Sequence, residues 1–260
     1  MKTRGIRYYL PTIVVFFAVL AIWEGGVRAF NVQRFLLPAP SVIFTAFIDI
    51  FPRLIGSALY TFRGAVLGML MGSVAGILLA FVTLRFALIR EGLLPFAIAA
   101  NSVPIIAFAP IMNNWFGLTN QLSKIMIVAV IVIFPMMINV ARGLVLVEPA
   151  KLELMRSYAA TPLEVLLKVR VPNALPFFFN ALKVCSTLSL IGAIVSEYFG
   201  GPRGTLGVFI TQEAALFKFA NAWAAIIISA ILGMLFYMLI LLLERVSIPW
   251  HASTQNPNEA

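Results

Sequence analysis

The stretch ELMRSYAATPLEVLLKVRVPNALP, residues 153–176, places two acids, three bases and three prolines between long apolar runs. Its local signals are those of a helix, a break and a second helix. KLELMRSYAA, residues 151–160, holds no Gly or Pro and favours helix. Thr161 then offers an N-cap hydroxyl. Pro162 takes the first helical position, where a missing N–H is no loss, and Glu164 stands three residues after the cap, which completes a capping box. The second helix is expected to run to about Arg170 and to end at Pro172 and Pro176. Two short helices set at an angle make a stiff knob. A plain surface loop carrying one helix is the alternative that local features leave open.

The surroundings of this stretch belong to a lipid bilayer. The chain of 260 residues is 62% hydrophobic and only 11% charged, against about 25% charged in a soluble domain. Runs of about 20 apolar residues suit membrane spans. Residues 8–23, 64–84, about 94–112, 125–141, 177–196 and 219–243 supply six, the fifth interrupted by Lys183. Residues 41–50 are apolar but short and are expected to lie as a helix at the outer surface. The fold class expected is therefore all-α and polytopic, with about six transmembrane helices in one domain over 1–260. The first span follows a basic start, lacks a small-x-small cleavage site and is expected to stay uncleaved.

Lys and Arg distribution sets the orientation. With the N-terminus inside, eleven bases fall on cytosolic segments and six outside. Both termini, the loop of about 144–176 and the short tail 251–260 are then expected in the cytosol. This distribution accounts for the net charge of +9 without nucleic acid. One cysteine, Cys185, excludes an internal disulfide or thiolate cluster, and one histidine, His251, excludes a histidine-based metal site or a Ser-His-Asp arrangement.

Within the spans, Gly64, Gly68, Gly72 and Gly76 recur every four residues and make a smooth helical face. It serves either packing within the chain or contact with a second copy. Polar residues inside spans are costly and often line a pathway. Asn101, Ser102, Asn139, Ser186, Thr187 and Ser189 are the candidates, and Ser or Thr bonding back to its own helix is the bland alternative. Pro104 and Pro110 are expected to free carbonyls in the third span. Glu197, at the outer end of the fifth, is expected to be solvated, to pair with Arg203 or to gate an exit. Glu24 and Glu244 are expected at interfaces. The methionines are expected to pack.

The spacing in the opening stretch is similar to the coupling loop of binding-protein-dependent transport system inner-membrane components, the permeases of ABC importers. Their pattern is E-A-A, three residues, G, nine residues, then I-x-L-P. Glu153 stands at the acid, Ala159 at the glycine, and Val169-Arg170-Val171-Pro172 at the final element in register. Leu154 and Met155 replace the alanines. With alanine at the glycine position, the turn is expected not to depend on positive φ. LLPAPSVI (36–43), SVPIIAFAPIMNNWFG (102–117) and VSEYFGGPRGTLGVFI (195–210) resemble further family elements, so the likeness covers about residues 20–250.

The resemblance implies a type I importer permease in the bacterial plasma (inner) membrane. It implies that Glu153, Ala159, Thr161, Pro162, Glu164, Val169 and Pro172 couple to a separate ABC ATPase subunit, which uses ATP and Mg. It also implies an extracytoplasmic solute-binding protein and a second permease copy, as a homodimer. The chain itself carries no Walker A phosphate loop, so no ATP-cleaving machinery of that kind, and no cofactor or catalytic residue is expected on it. The branch resembled serves nitrate, sulfonate, taurine and thiamine-pyrimidine or riboflavin uptake. Charge-poor spans favour a neutral heteroaromatic solute over a strong anion. An ATP-independent secondary transporter or channel is the rival, and it would need paired broken helices or a buried ionisable relay. An intramembrane enzyme would need a His pair, an acidic pair or a serine-base couple within spans, and none is found.

Overall fold

The computed structural model describes residues 6–86, 91–92, 95–97, 99 and 105–250. Every regular element among them is helical. In chain order they are α1 (Ile6–Ala29), α2 (Pro40–Asp49), α3 (Phe51–Arg85), a single 3₁₀ turn (Ile105–Phe108) leading into α4 (Ala109–Phe116), α5 (Gln121–Val145), α6 (Pro149–Ser157), α7 (Pro162–Tyr198), α8 (Leu206–Ala215) and α9 (Phe219–Ser247). Five of these, α1, α3, α5, α7 and α9, are long and apolar enough to cross a membrane. Residues 94, 98 and 100–104 of the third expected span, Asn101, Ser102 and Pro104 among them, lie outside the described residues. Pro110 sits in the first turn of α4, where its missing N–H leaves no carbonyl stranded, so it begins a helix rather than breaking one.

The core is the packing of α3, α5 and α7. Ala65 and Met69 of α3 meet Val128, Val132, Met136 and Met137 of α5, and Ala181 and Cys185 of α7 close the cluster. The glycine face of α3 lies against α5 of the same chain. A methyl placed on Gly76 would sit 2.6 Å from the Ile133 carbonyl oxygen, and one on Gly68 would sit 2.7 Å from that of Ile125. The helix backbones therefore touch. By contrast α1 exposes most of its length and leans on α9 through Trp23 and Trp223, whose rings lie 5.2 Å apart. The short α2 forms as expected, with Pro40 in its first turn.

The opening stretch departs from expectation at its second proline. Pro172 and Pro176 do not end a helix; α7 runs unbroken through both for 37 residues. The cause is a widened turn. Residues Leu166–Arg170 are π-helical, and Val171 N–H bonds back to the Leu166 carbonyl. One extra residue in the turn gives the Pro172 ring room it would lack in a regular α-helix. The arrangement is tied to the bundle. Arg170 donates to the Leu144 carbonyl at 2.7 Å, and Asn173 donates to the carbonyls of Gly143 and Leu146 at 2.8 and 3.0 Å. These bonds satisfy carbonyls at the end of α5 that have no helical partner.

Candidate functional site

The knob consists of α6, a tight turn and the first turns of α7. Thr161 accepts from Glu164 N–H at 3.3 Å, while the Glu164 carboxylate accepts from Thr161 N–H at 2.9 Å, so the capping box forms. Lys168 adds an ion pair to Glu164 at 3.1 Å. Ala159 corrects the expectation for the turn: its φ is +49°. The turn does use the left-handed region, with an alanine in it. Ala160 N–H reaches back to the Met155 carbonyl and Ala159 N–H to that of Arg156, at 3.0 and 2.9 Å. This pairing of 6→1 and 5→2 bonds closes the end of α6 as a Schellman motif, and it holds the unfavourable φ.

That strain is measurable. The left-handed region costs an L-residue roughly 1–2 kcal/mol, and glycine gives back about 0.5–1 kcal/mol through unfolded-chain entropy. Ala159→Gly is therefore expected to stabilise the turn by about 0.5–1 kcal/mol, and Ala159→Val to destabilise it. Amide exchange over residues 158–161 of the purified chain reads both. Slower exchange in the valine variant than in the glycine variant would rule out the left-handed turn.

No residue of α6 is buried. Leu154, Tyr158 and Leu163 are 55%, 75% and 62% exposed and form an apolar crest on the knob. A groove of about 420 Å³ runs between α6 and α7, with Leu154 itself, Lys151, Met155, Lys168, Pro172 and Phe177 along it and Trp250 at its edge. Glu153 and Val169 lie on the same two helices.

The expected pathway residues are placed differently. Asn139 donates to the Pro135 carbonyl at 2.8 Å, Ser186 to that of Lys183 at 2.8 Å, and Ser189 to that of Ser186 at 2.9 Å. Each bonds back to its own helix, and both serines are fully buried. Thr187 is exposed instead. It borders an apolar groove of about 550 Å³ between α7 and α9, with Ile191, Ser229, Met234 and Tyr237.

Glu197 is neither solvated nor paired with Arg203. It is buried and accepts from Thr61 Oγ1 at 3.0 Å and from Gly207 N–H at 2.8 Å. The reason is the start of α8, whose first N–H groups have no side-chain cap of their own. Glu244, expected at an interface, is also buried and pairs with Lys183 at 3.0 Å.

The model for the family "binding-protein-dependent transport system inner membrane component" matches residues 72–249. The chain belongs to that family. Among its relatives, the formylaminopyrimidine transport permease protein ThiX of Halalkalibacterium halodurans is 31% identical over 95% of this chain and 98% of its own length. The putative aliphatic sulfonates transport permease protein SsuC of Bacillus subtilis is 28% identical over 94% and 87%. The riboflavin transport system permease protein RibX of Chloroflexus aurantiacus is 27% identical over 95% and 93%. A solved amino acid ABC transporter with histidines superposes with a TM-score of 0.61 at 17% identity, over 78% of this chain and 97% of that one, which establishes the shared fold. This is a multi-pass ABC importer permease of the inner membrane.

Two buried charges of the permease escaped the reading of its sequence. Glu213 of α8 is buried, accepts from Asn221 Nδ2 at 2.7 Å and faces Arg53 at 3.8 Å. Lys124 of α5 is 2% exposed and donates to Asn113 Oδ1, whose amide donates to the Phe199 carbonyl at 3.1 Å. Nothing near Lys124 in the sequence marks it as buried, because its contacts come from α4 and from the chain just past α7.

Proposed function

We propose that this chain is one half of the translocation core of an importer, pairing with a second copy of itself and driven by a separate ATPase that docks on the α6–α7 knob. A binding protein delivers solute at the outer face, both termini lie in the cytosol, and the cycle is alternating access. The observation that carries this reading is the apolar crest. Leu154 on α6, which has no buried residue, and Tyr158 and Leu163 beside it are more than half exposed, with nothing among the described residues to cover them. The crest stands on the segment where the bases concentrate, which is the cytosolic side by the charge rule.

The test is co-purification. Replacing Leu154 and Leu163 together by Glu is expected to lower recovery of the cognate ATPase by about tenfold or more, as loss of central apolar anchors does. The bundle should stay folded, since both side chains are exposed. Unchanged recovery and ATP-driven uptake would refute the docking assignment.

For the solute, the reading favours a small heteroaromatic vitamin or vitamin precursor, of the thiamine-pyrimidine or riboflavin type. Two supports are the apolar groove between α7 and α9 and the end-to-end match to a relative named for formylaminopyrimidine. The similarity to a permease named for aliphatic sulfonates keeps a second reading, in which the same architecture carries sulfonates, taurine or nitrate. Uptake by the reconstituted assembly, with each solute class offered in turn, separates the two. Uptake of sulfonate or nitrate with no pyrimidine or flavin uptake would replace the first.

A further inference from the structure

At the outer end of the bundle, side chains from four helices and backbone amides of a fifth meet in one buried polar layer. Thr61 comes from α3, Asn113 from α4, Lys124 from α5, Glu197 from α7, and the first amides come from α8. The links are specific. Leu206 N–H donates to Thr61 Oγ1 at 2.9 Å, Thr61 Oγ1 donates to Glu197, and Gly207 N–H donates to Glu197 Oε2 at 2.8 Å. The start of α8 is thus capped by two other helices. On the other side, Lys124 holds Asn113, and Asn113 holds the Phe199 carbonyl just past the end of α7. Lys124 also lies within electrostatic reach of Glu197, though the two make no ion-pair contact.

Glycine is required at 207, because a methyl there would lie 2.5 Å from Glu197 Cβ. The carboxylate is acceptor to every donor aimed at it, which suits an ionised group. Its charge has Lys124 opposite and the positive end of α8 above it.

We propose that this layer is a clasp that positions α8, with Glu197 and Lys124 as its positioning residues, holding the outer face closed while the permease rests. The proposal rests on the permease reading. The Glu197 carboxylate holds donors from α3 and α8 together, and the start of α8 keeps its cap only while they meet. Swinging α8 away would strip the buried Glu197 carboxylate of the Gly207 donor and leave the Leu206 amide without Thr61, so the closed arrangement is favoured until an outside partner compensates for the loss. The binding protein, arriving at this face, is the partner that would do so. Weakening the clasp therefore shifts the resting equilibrium toward the open state without a binding protein.

The experiment uses the assembled transporter in lipid nanodiscs with its ATPase and binding protein. The variants are Glu197→Gln, Thr61→Val and Lys124→Met. Two readouts are taken: amide exchange over residues 206–215, and ATP hydrolysis with and without the binding protein. In each variant, exchange at α8 is expected to rise by about tenfold or more while the middle of α5 stays protected. Hydrolysis without the binding protein is expected to rise so that stimulation by it falls about tenfold. Thr61→Val is nearly isosteric and removes no charge, so it carries the test if the charge variants fail to assemble.

Faster exchange with stimulation unchanged would make the layer structural only and would overturn the proposal. Unchanged exchange would remove the clasp itself. If the wild-type assembly shows no ATP hydrolysis with its ATPase, the permease reading has failed and the resting role falls with it, which the wild-type control alone reveals.

Discussion

Gly72→Leu is expected to destabilise the folded bundle by about 3 kcal/mol or more, far more than Gly64→Ala two turns earlier. A methyl on Gly72 would strike the Ala129 carbonyl oxygen and sit 2.9 Å from Val132 Cβ. The obstacle is the backbone of α5, which cannot rotate away as a side chain can. The helices must separate, and the core built on Met69, Val132 and Met136 opens with them. Overpacking a well-filled core commonly costs about 1–3 kcal/mol, and a leucine at a backbone contact belongs at or above the top of that range. Gly64 is the internal control. The nearest atom to a methyl there is Gln121 Nε2 at 3.4 Å, the end of a flexible side chain. Gly64→Ala should stay within about 0.5 kcal/mol of the parent chain. Unfolding in mixed detergent micelles, followed by tryptophan fluorescence, orders the series as Gly64→Ala, Gly72→Ala, Gly72→Leu. Equal stability of the first and last would show that α3 and α5 do not touch through this face.

That face was visible in the sequence because its signal is local: four glycines at intervals of four residues need only helical periodicity to be read. The same holds for the capping box at Thr161, Pro162 and Glu164, and for α2. What failed to show were the features set by partners far along the chain. Glu197 meets Thr61 across 136 residues, and Lys183 meets Glu244 across 61. Nothing near either acid marks it as buried. Pro172 misled for a related reason. Proline terminates a helix only when nothing else absorbs its missing bond, and here a widened turn does so, anchored by Arg170 and Asn173 to the carbonyls of residues 143–146. Ala159 shows the limit of reading residue type as conformation. The chain takes positive φ there with no glycine, because the closure of α6 and the capping box of α7 fix both sides of it. Of the expected pathway, the hydroxyl at Thr187 borders a groove, whereas Ser186 and Ser189 turn inward to their own helix. A one-residue difference rotates a side chain about 100° around a helix, and hydropathy alone does not resolve that.

The pair Lys183–Glu244 carries the second large effect. The ammonium lies 3.0 and 3.2 Å from the two carboxylate oxygens, and the side chains are only 17% and 5% exposed. Lys183→Met leaves the carboxylate of Glu244 buried between α7 and α9 with no counter-charge. Breaking a buried pair from one side costs about 3–5 kcal/mol, so this variant is expected to fold poorly. Replacing both partners, Lys183→Met with Glu244→Leu, removes both charges and is expected to return stability to within about 1 kcal/mol of the parent or above it. The non-additivity is the result that matters. Additive losses in a double-mutant cycle, read by detergent unfolding, would show that the pair does not form. The double variant also decides a mechanistic question. One signature of a secondary transporter is an ionisable relay inside the membrane, and this pair is the one available between α7 and α9 among the described residues. If it moved protons, the stable double variant would lose uptake. In a permease driven from outside by an ATPase the pair only neutralises itself, so uptake should survive the double variant and stop when ATP is withdrawn.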